Sequence, residues 1–203
     1  MIFVAIFETF CYNKYMEKTI NLPQQFLNNM QQLLGADFAK YLHAINQEPV
    51  HGVRLNTLKG HQSILQEFNI LDKVPYANNG YIIDTGKIGK HPYHIAGLVY
   101  VQEPSSMLAV CASGIIKEPD KNLCVLDLCA SPGGKSGQIA EILAGNGVLV
   151  SNEIDSKRAR VLAGNIERMG YTNVIVTNTN PTNLEKNLPQ KFDYIFVYAP
   201  CGG

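Results

Sequence analysis

The sequence predicts an α/β protein, a parallel sheet with helices on both faces, preceded by a small α+β unit. Two observations carry this reading. After His94, short apolar runs alternate with amphipathic segments in a βαβαβ succession, and near-continuous apolar strands belong in sheets buried on both faces. Before His94 the text is mixed, with helix grammar giving way to short strands and turns. The organisation expected is an N-terminal extension (residues 1–20), an α+β domain (21–94) and an α/β domain (95–203).

Residues 1–10 are apolar but carry no basic run, no small-residue cleavage site and an interrupting Glu8, so neither an export signal nor a membrane span is expected. Met16 is either the true start, because regular patterning begins just after it, or part of a short arm. Leu22-Pro23 opens a helix with Phe26, Leu27, Met30, Leu33 and Leu34 at near-helical spacing, stopped by Gly35. A second helix is expected from Ala36 to about Ala44, with Phe38, Tyr41 and Leu42 inward. Residues 52–58 read as a strand and 62–68 as a polar helix. Residues 74–89 are turn-rich, holding Pro75, Asn78, Asn79 and Gly80 beside a short strand over 81–83.

Residues 98–102 then form a short strand leading into a helix over 104–113. The succession continues with strand 123–129, helix 136–144, strand 148–152, helix 156–169, strand 173–177 and strand 194–198. A doubly wound domain holds its first strand centrally, with strands on both sides. The last strand runs straight into Cys201-Gly202-Gly203, so the sheet is expected to be incomplete and the chain a piece of a longer protein.

Composition narrows the function. With 46% hydrophobic and 17% charged residues and a formal net charge of +0, no overall field gathers polyanions, and a nucleic-acid partner has to be held by a local patch. Five cysteines form no CxxC pair, and no histidine stands at zinc-ligand spacing. Scattered, odd-numbered cysteines favour reduced thiols in a cytoplasmic setting over a disulfide framework. No metal site and no membrane association are expected.

Three segments carry chemistry. The first is Val125-Leu-Asp-Leu-Cys-Ala-Ser-Pro-Gly-Gly-Lys135, a buried strand entering a glycine turn before a helix. Gly133 and Gly134 let backbone N–H groups approach a ligand, and the helix N-terminus favours negative charge. The turn lacks GxGxxG, which argues against a nicotinamide dinucleotide, and Lys135 suits a carboxylate such as that of a methionine moiety. The second is Glu153, in Asn152-Glu-Ile-Asp155 at the carboxyl end of the next strand. An acid there, about 20 residues beyond the glycine turn, is placed to hold a ribose diol; Asp155 reads as a helix cap. The third is Asp193-Tyr-Ile-Phe-Val-Tyr-Ala-Pro-Cys201. Its thiol is either a group facing the ligand crevice or a small buried hydrophobe.

In this order the motifs resemble the Sun/Fmu (RsmB/RsmF-like) family of RNA 5-methylcytosine methyltransferases, most closely its bacterial RsmF-like branch, which acts on small-subunit ribosomal RNA. The resemblance runs from about Leu22 to Gly203. It rests on Leu22-Pro-Gln-Gln-Phe26, Arg54-Leu-Asn-Thr-Leu-Lys59, Lys90-His-Pro-Tyr-His-Ile-Ala-Gly97, Tyr100-Val-Gln-Glu-Pro-Ser-Ser-Met107, the string Asp127 to Lys135, Asn152-Glu-Ile154, Glu167-Arg-Met-Gly170 and Ala199-Pro-Cys201.

The resemblance implies a Rossmann-like class I methyltransferase sheet, its first four strands present. It further implies an S-adenosylmethionine pocket built from Cys129, Ala130, Ser131, Pro132, Gly133, Gly134, Lys135 and Glu153, with Asn178 to Asn180 near the adenine, Asn180 among the contacts. It places a nucleophilic cysteine on a strand beyond Gly203 and gives Cys201 the release of product. Arg54 and Lys59 would help hold ribosomal RNA or the small subunit, in a monomeric enzyme. Two departures stand out. Tyr198 occupies the place of a family Asp that contacts the cytosine ring, and Gly202 follows Cys201 where the family has Ser. A phenol is bulkier than a carboxyl group and lacks its charge, which makes a catalytically degenerate RNA-binding member the alternative. The chain by itself is expected to be inactive.

Overall fold

A computed structural model describes residues 21–84, 88–115, 122–188 and 191–199. The chain forms two compact units, Met1–Pro49 and Val50–Gly203. In the first, α1 (Gln24–Leu34) ends where Gly35, at φ +52°, returns its N–H to the Gln31 carbonyl. A short 3-10 turn, Gly35–Asp37, leads into α2 (Phe38–Ile45). Neither helix has a fully buried residue.

The second unit opens with an antiparallel sheet in the order β2-β3-β1-β4. Its strands are β1 (His51–Leu55), β2 (Ile70–Lys73), β3 (Gly80–Ile83) and β4 (Val99–Val101). Val53 faces Tyr81 on one side and Val101 on the other, and Arg54 lies opposite Tyr100. Val53, Leu55, Tyr81, Ile83, Ile88 and Val99 form its core. β4 lies past His94, so this sheet draws an edge strand from sequence beyond the first expected domain. Residues 62–67 wind as a 3-10 segment, not an α-helix; His61 caps it by accepting from the Ser63 N–H, while Ile64 and Leu65 pack on the core. A single helical turn, α3 (Pro92–Ile95), is capped in the same way by His91.

After α4 (Pro104–Ala112) comes the parallel sheet, in the order β7-β6-β5-β8. It is built from β5 (Leu123–Asp127), α5 (Gly134–Leu143), β6 (Gly147–Asn152), α6 (Ser156–Met169), β7 (Val174–Thr177), α7 (Pro181–Asn187) and β8 (Tyr194–Phe196). The Rossmann-like arrangement agrees with the expectation, and β5 is central, flanked by β6 and β8. α6 shows why the sequence folds this way. Ala159, Leu162, Ile166 and Met169 bury one stripe, the spacing of an amphipathic helix. Asp155 accepts the Lys157 and Arg158 N–H groups at 2.9 and 2.8 Å, and Gly170, at φ +76°, closes the other end. The core beneath is Val125, Ile139, Ala140, Leu149 and Leu162.

Within this unit the two sheets are bound directly. The Asn56 amide donates to the carbonyls of Gly97 and Met169 at 2.9 and 2.8 Å. Gly97 sits so near the end of α6 that a Cβ there would lie 2.1 Å from the Arg168 carbonyl oxygen.

Candidate functional site

Chemistry-bearing side chains gather at the carboxyl edge of the parallel sheet, where the loops after β5, β6 and β8 meet. The loop after β5 is anchored first by its backbone: the Ala130 N–H donates to the Asn152 carbonyl at 2.9 Å. Its Ser131-Pro132 peptide bond is cis. Gly133 then adopts φ +109°, a conformation L side chains rarely reach. Gly134 approaches Tyr100 so closely that a Cβ would stand 3.2 Å from the ring. The two glycines thus serve different ends, one conformation and the other proximity. α5 begins here, and its first N–H groups have no partner within the helix.

α6 clamps this turn from the side. The Ser131 hydroxyl donates to the Arg158 carbonyl at 2.9 Å, and the Arg158 guanidinium donates back to the Ser131 carbonyl at 3.0 Å. The Asn165 amide donates to the Pro132 carbonyl at 2.8 Å. Arg158 also lies 3.4 Å from Glu153, whose buried carboxylate accepts the Asp155 N–H at 3.1 Å.

Asn152, which the sequence reading left without a role, ties three loops together. Its amide nitrogen donates to the carbonyls of Leu128 and Thr179, and its oxygen accepts from the Thr177 hydroxyl and the Thr179 N–H. Arg158 and Asn165 were missed as well. Their only sequence signal is a polar side chain on α6 at the edge of its apolar stripe.

The electrostatics follow from burial. Asp127 is 1% exposed; Ser136 donates to one carboxylate oxygen at 2.7 Å, the Cys129 N–H lies nearby, and the other oxygen has no well-formed hydrogen bond among the described residues. Burial raises its pKa, against the opposing pull of Ser136 and Lys135. Burial lowers the Lys135 ammonium, which Asp127 partly offsets. The Lys135 Nζ stands 3.5 Å above the ring centroid of Tyr198. The Cys129 thiol is pushed up by burial and further by Glu153 and Asp127, and burial raises Cys111 and Cys124 too.

Cys129 thus lies near Glu153, Ser131 is linked to Glu153 through Arg158, and Lys135 lies against Tyr198. Asn180 caps α7, its side-chain oxygen accepting the Asn183 N–H at 2.8 Å, while Asn178 donates to the carbonyls of Glu153 and Ile154 at 2.6 and 3.0 Å. Cys201 lies outside the described residues. Arg54 requires a correction: it is 0% exposed, and a buried guanidinium is not available to an RNA phosphate. Lys59 is exposed and donates to the Arg168 carbonyl at 3.1 Å.

Residues 22–104 match the family model for the N-terminal domain of 16S rRNA methyltransferase RsmF, and residues 114–203 that of 16S rRNA methyltransferase RsmB/F. Ribosomal RNA small subunit methyltransferase F of Aliivibrio salmonicida is 34% identical over 93% of this chain, which spans 42% of that relative. The Vibrio cholerae protein of the same name gives the same figures. Among solved structures, a methyltransferase homolog protein from Pyrococcus horikoshii superposes with a TM-score of 0.75 at 29% identity, covering 90% of this chain and 60% of that one. NSun6 from the same organism shares the fold, with a TM-score of 0.74 at 18% identity over 88% of this chain and 71% of its own. Matched along nearly its whole length by these two domain models in tandem, the chain belongs to the RsmB/F family of 16S rRNA methyltransferases.

Proposed function

We propose that the whole protein transfers a methyl group from S-adenosylmethionine to carbon 5 of a cytosine in small-subunit ribosomal RNA, and that residues 122–199 hold the donor. One observation supports this above the others. At one sheet edge, a turn of two glycines opening α5 stands beside the buried carboxylate of Glu153.

The donor carries a carboxylate and an ammonium at one end, a ribose diol in the middle and a cationic sulfonium between them. The side-chain-free cradle at Gly133 and Gly134, the start of α5 and Lys135 suit the carboxylate. Glu153 accepts one N–H and borders Arg158; a carboxylate has about four acceptor sites, which leaves capacity for a diol. The Asp127 oxygen without a well-formed hydrogen bond is an acceptor for a cationic group. Cys129, Ala130, Ser131 and Pro132 form the wall of the turn, and Asn180 stands near the adenine. When bound, the donor supplies an electrophilic methyl group on sulfur.

The residues of this chain bind and orient; the resemblance assigns the attack on cytosine carbon 6 to a thiol on a further strand. Such an attack makes carbon 5 nucleophilic, and Cys201 then assists release. Cys111, Cys124 and Cys129 are all held towards the protonated thiol by burial, which fits none of them being the attacking thiolate. The target base leaves its stack to reach the donor. Residues 1–203 alone are expected to bind donor without turnover, in the cytoplasm and as a monomer.

A second reading is favoured by Tyr198. Its ring lies against Lys135, where the resemblance expects an Asp, and this suits a member that binds RNA or the small subunit without catalysis. Calorimetric titration of the chain with S-adenosylmethionine should show saturable one-to-one binding; no heat from a chain with intact circular dichroism overturns the donor assignment. Nucleoside analysis of small-subunit RNA treated with the full-length protein should show 5-methylcytosine. Its absence, with co-sedimentation retained, selects the second reading.

A further inference from the structure

Arg54 is a fully buried cation. Desolvating a guanidinium costs several kcal/mol unless it is well paired, so its contacts have to balance its charge. Its Nε donates to the Gln102 side-chain oxygen at 3.0 Å, its Nη1 pairs with Glu141, and its Nη2 reaches the Gly134 carbonyl at 3.4 Å. Glu141 is held in turn by the Tyr171 hydroxyl at 2.6 Å and the Asn79 amide at 2.7 Å. Gly137 supplies the space, since a Cβ there would lie 2.9 Å from the Arg54 Nη2. Gly134, Gly137 and Glu141 are three and then four residues apart, which sets them on one face of α5. One side chain of β1 thus grips that helix along its length, beginning at the residue that follows the Gly133 bend.

We propose that Arg54 is a positioning residue for the donor-binding turn: it fixes α5, and with it Gly133 and Gly134, against the antiparallel sheet. The consequence for donor affinity rests on the function proposed above; the mechanical role does not. The cluster provides its own control, because Tyr171 bonds Glu141 and makes no bond to the turn.

The test uses the chain of residues 1–203, first without donor. Arg54→Lys keeps a charge beside Glu141 but loses the fork to Gln102 and Gly134, whereas Tyr171→Phe removes a hydroxyl that binds Glu141 at 2.6 Å and neighbours Arg54, and leaves the Arg54 contacts to Gln102 and Gly134 in place. Both should lower the thermal midpoint. Only Arg54→Lys should speed hydrogen exchange selectively at Gly137, whose N–H bonds back to the Gly133 carbonyl at 2.8 Å, and it should weaken donor binding in calorimetry by about tenfold. Wild-type exchange in Arg54→Lys, or equal acceleration in Tyr171→Phe, overturns the proposal. Should Arg54→Lys fail to fold, Gln102→Met, which removes the Nε acceptor while keeping side-chain bulk beside Gly134, is held to the same two criteria. A wild-type chain that ignores the donor, while Arg54→Lys still speeds exchange at Gly137, refutes the donor reading and upholds the strut.

Discussion

Single residues here change role with burial. His94 is the clearest pH-sensitive case. Burial lowers its imidazole below the usual 6.5, Arg168 adds to this, and a backbone hydrogen bond at Val99 opposes it. The unfolded chain therefore takes up a proton at higher pH than the folded one. The stabilising contribution is complete above the ordinary imidazole value and falls as pH drops through it towards the lowered one. Between about pH 7 and about pH 5 the unfolding midpoint of the wild type should fall more steeply than that of His94→Gln; equal slopes would contradict this. Tyr198 is 62% exposed, and an exposed cation–π contact is worth roughly 0.5–1 kcal/mol. Tyr198→Ala should therefore cost at most about 1 kcal/mol in denaturant unfolding. By freeing Lys135 it should also tighten donor binding in calorimetry, and weaker binding would count against Lys135 as a carboxylate partner. Arg54 shows where residue-level reading stops. The family resemblance assigned it to RNA, while its actual partner Glu141 lies 87 positions away, beyond the reach of any local pattern.

At the scale of elements, glycine positions decide signs. Alanine for an exposed mid-helix glycine normally gains about 1 kcal/mol. At Gly137 the added Cβ meets Arg54 at 2.9 Å and the Tyr171 ring at 3.0 Å, and overpacking of this kind costs about 1–3 kcal/mol. Gly137→Ala should thus be net destabilising in denaturant unfolding; a stabilised variant would show that Arg54 yields. Asp155→Ala removes two N-terminal hydrogen bonds from α6 and should cost about 1 kcal/mol. The Asp155 cap, the apolar stripe and Gly170 are all local signals, which is why α6 was legible to the residue. β5 and β6 were legible because burial on both faces leaves little but apolar residues. α7 was not, since only Leu184 in it is buried and Asn180-Pro181 reads as a turn. β2 was hidden by half-exposure and a register shift between Ile70 and Asp72. The glycine turn and Glu153 could be read from sequence, but the clamp by Arg158, Asn165 and Asn152 arises only when α6 folds back onto the loops.

At the scale of the molecule, the unit from Val50 to Gly203 holds an antiparallel and a parallel sheet joined by buried polar groups. Arg54 with Glu141, and Asn56 with Met169, cross between them. Buried polar groups lose their partners if either sheet opens alone, at about 1–3 kcal/mol for each unsatisfied group. Both sheets should accordingly melt together, with far-ultraviolet circular dichroism and tyrosine fluorescence giving coincident curves for that unit. A separate earlier transition of the antiparallel sheet would show that these links are weak.

The stitching by Asn152 has a thermodynamic corollary. A rim whose loops are already fastened to one amide has little disorder left to lose when a small molecule arrives. Association should then resemble a key entering a finished lock, with a heat-capacity change set by the apolar area covered and no added share from loop folding. Asn152→Ala, by releasing the rim, should make that change more negative.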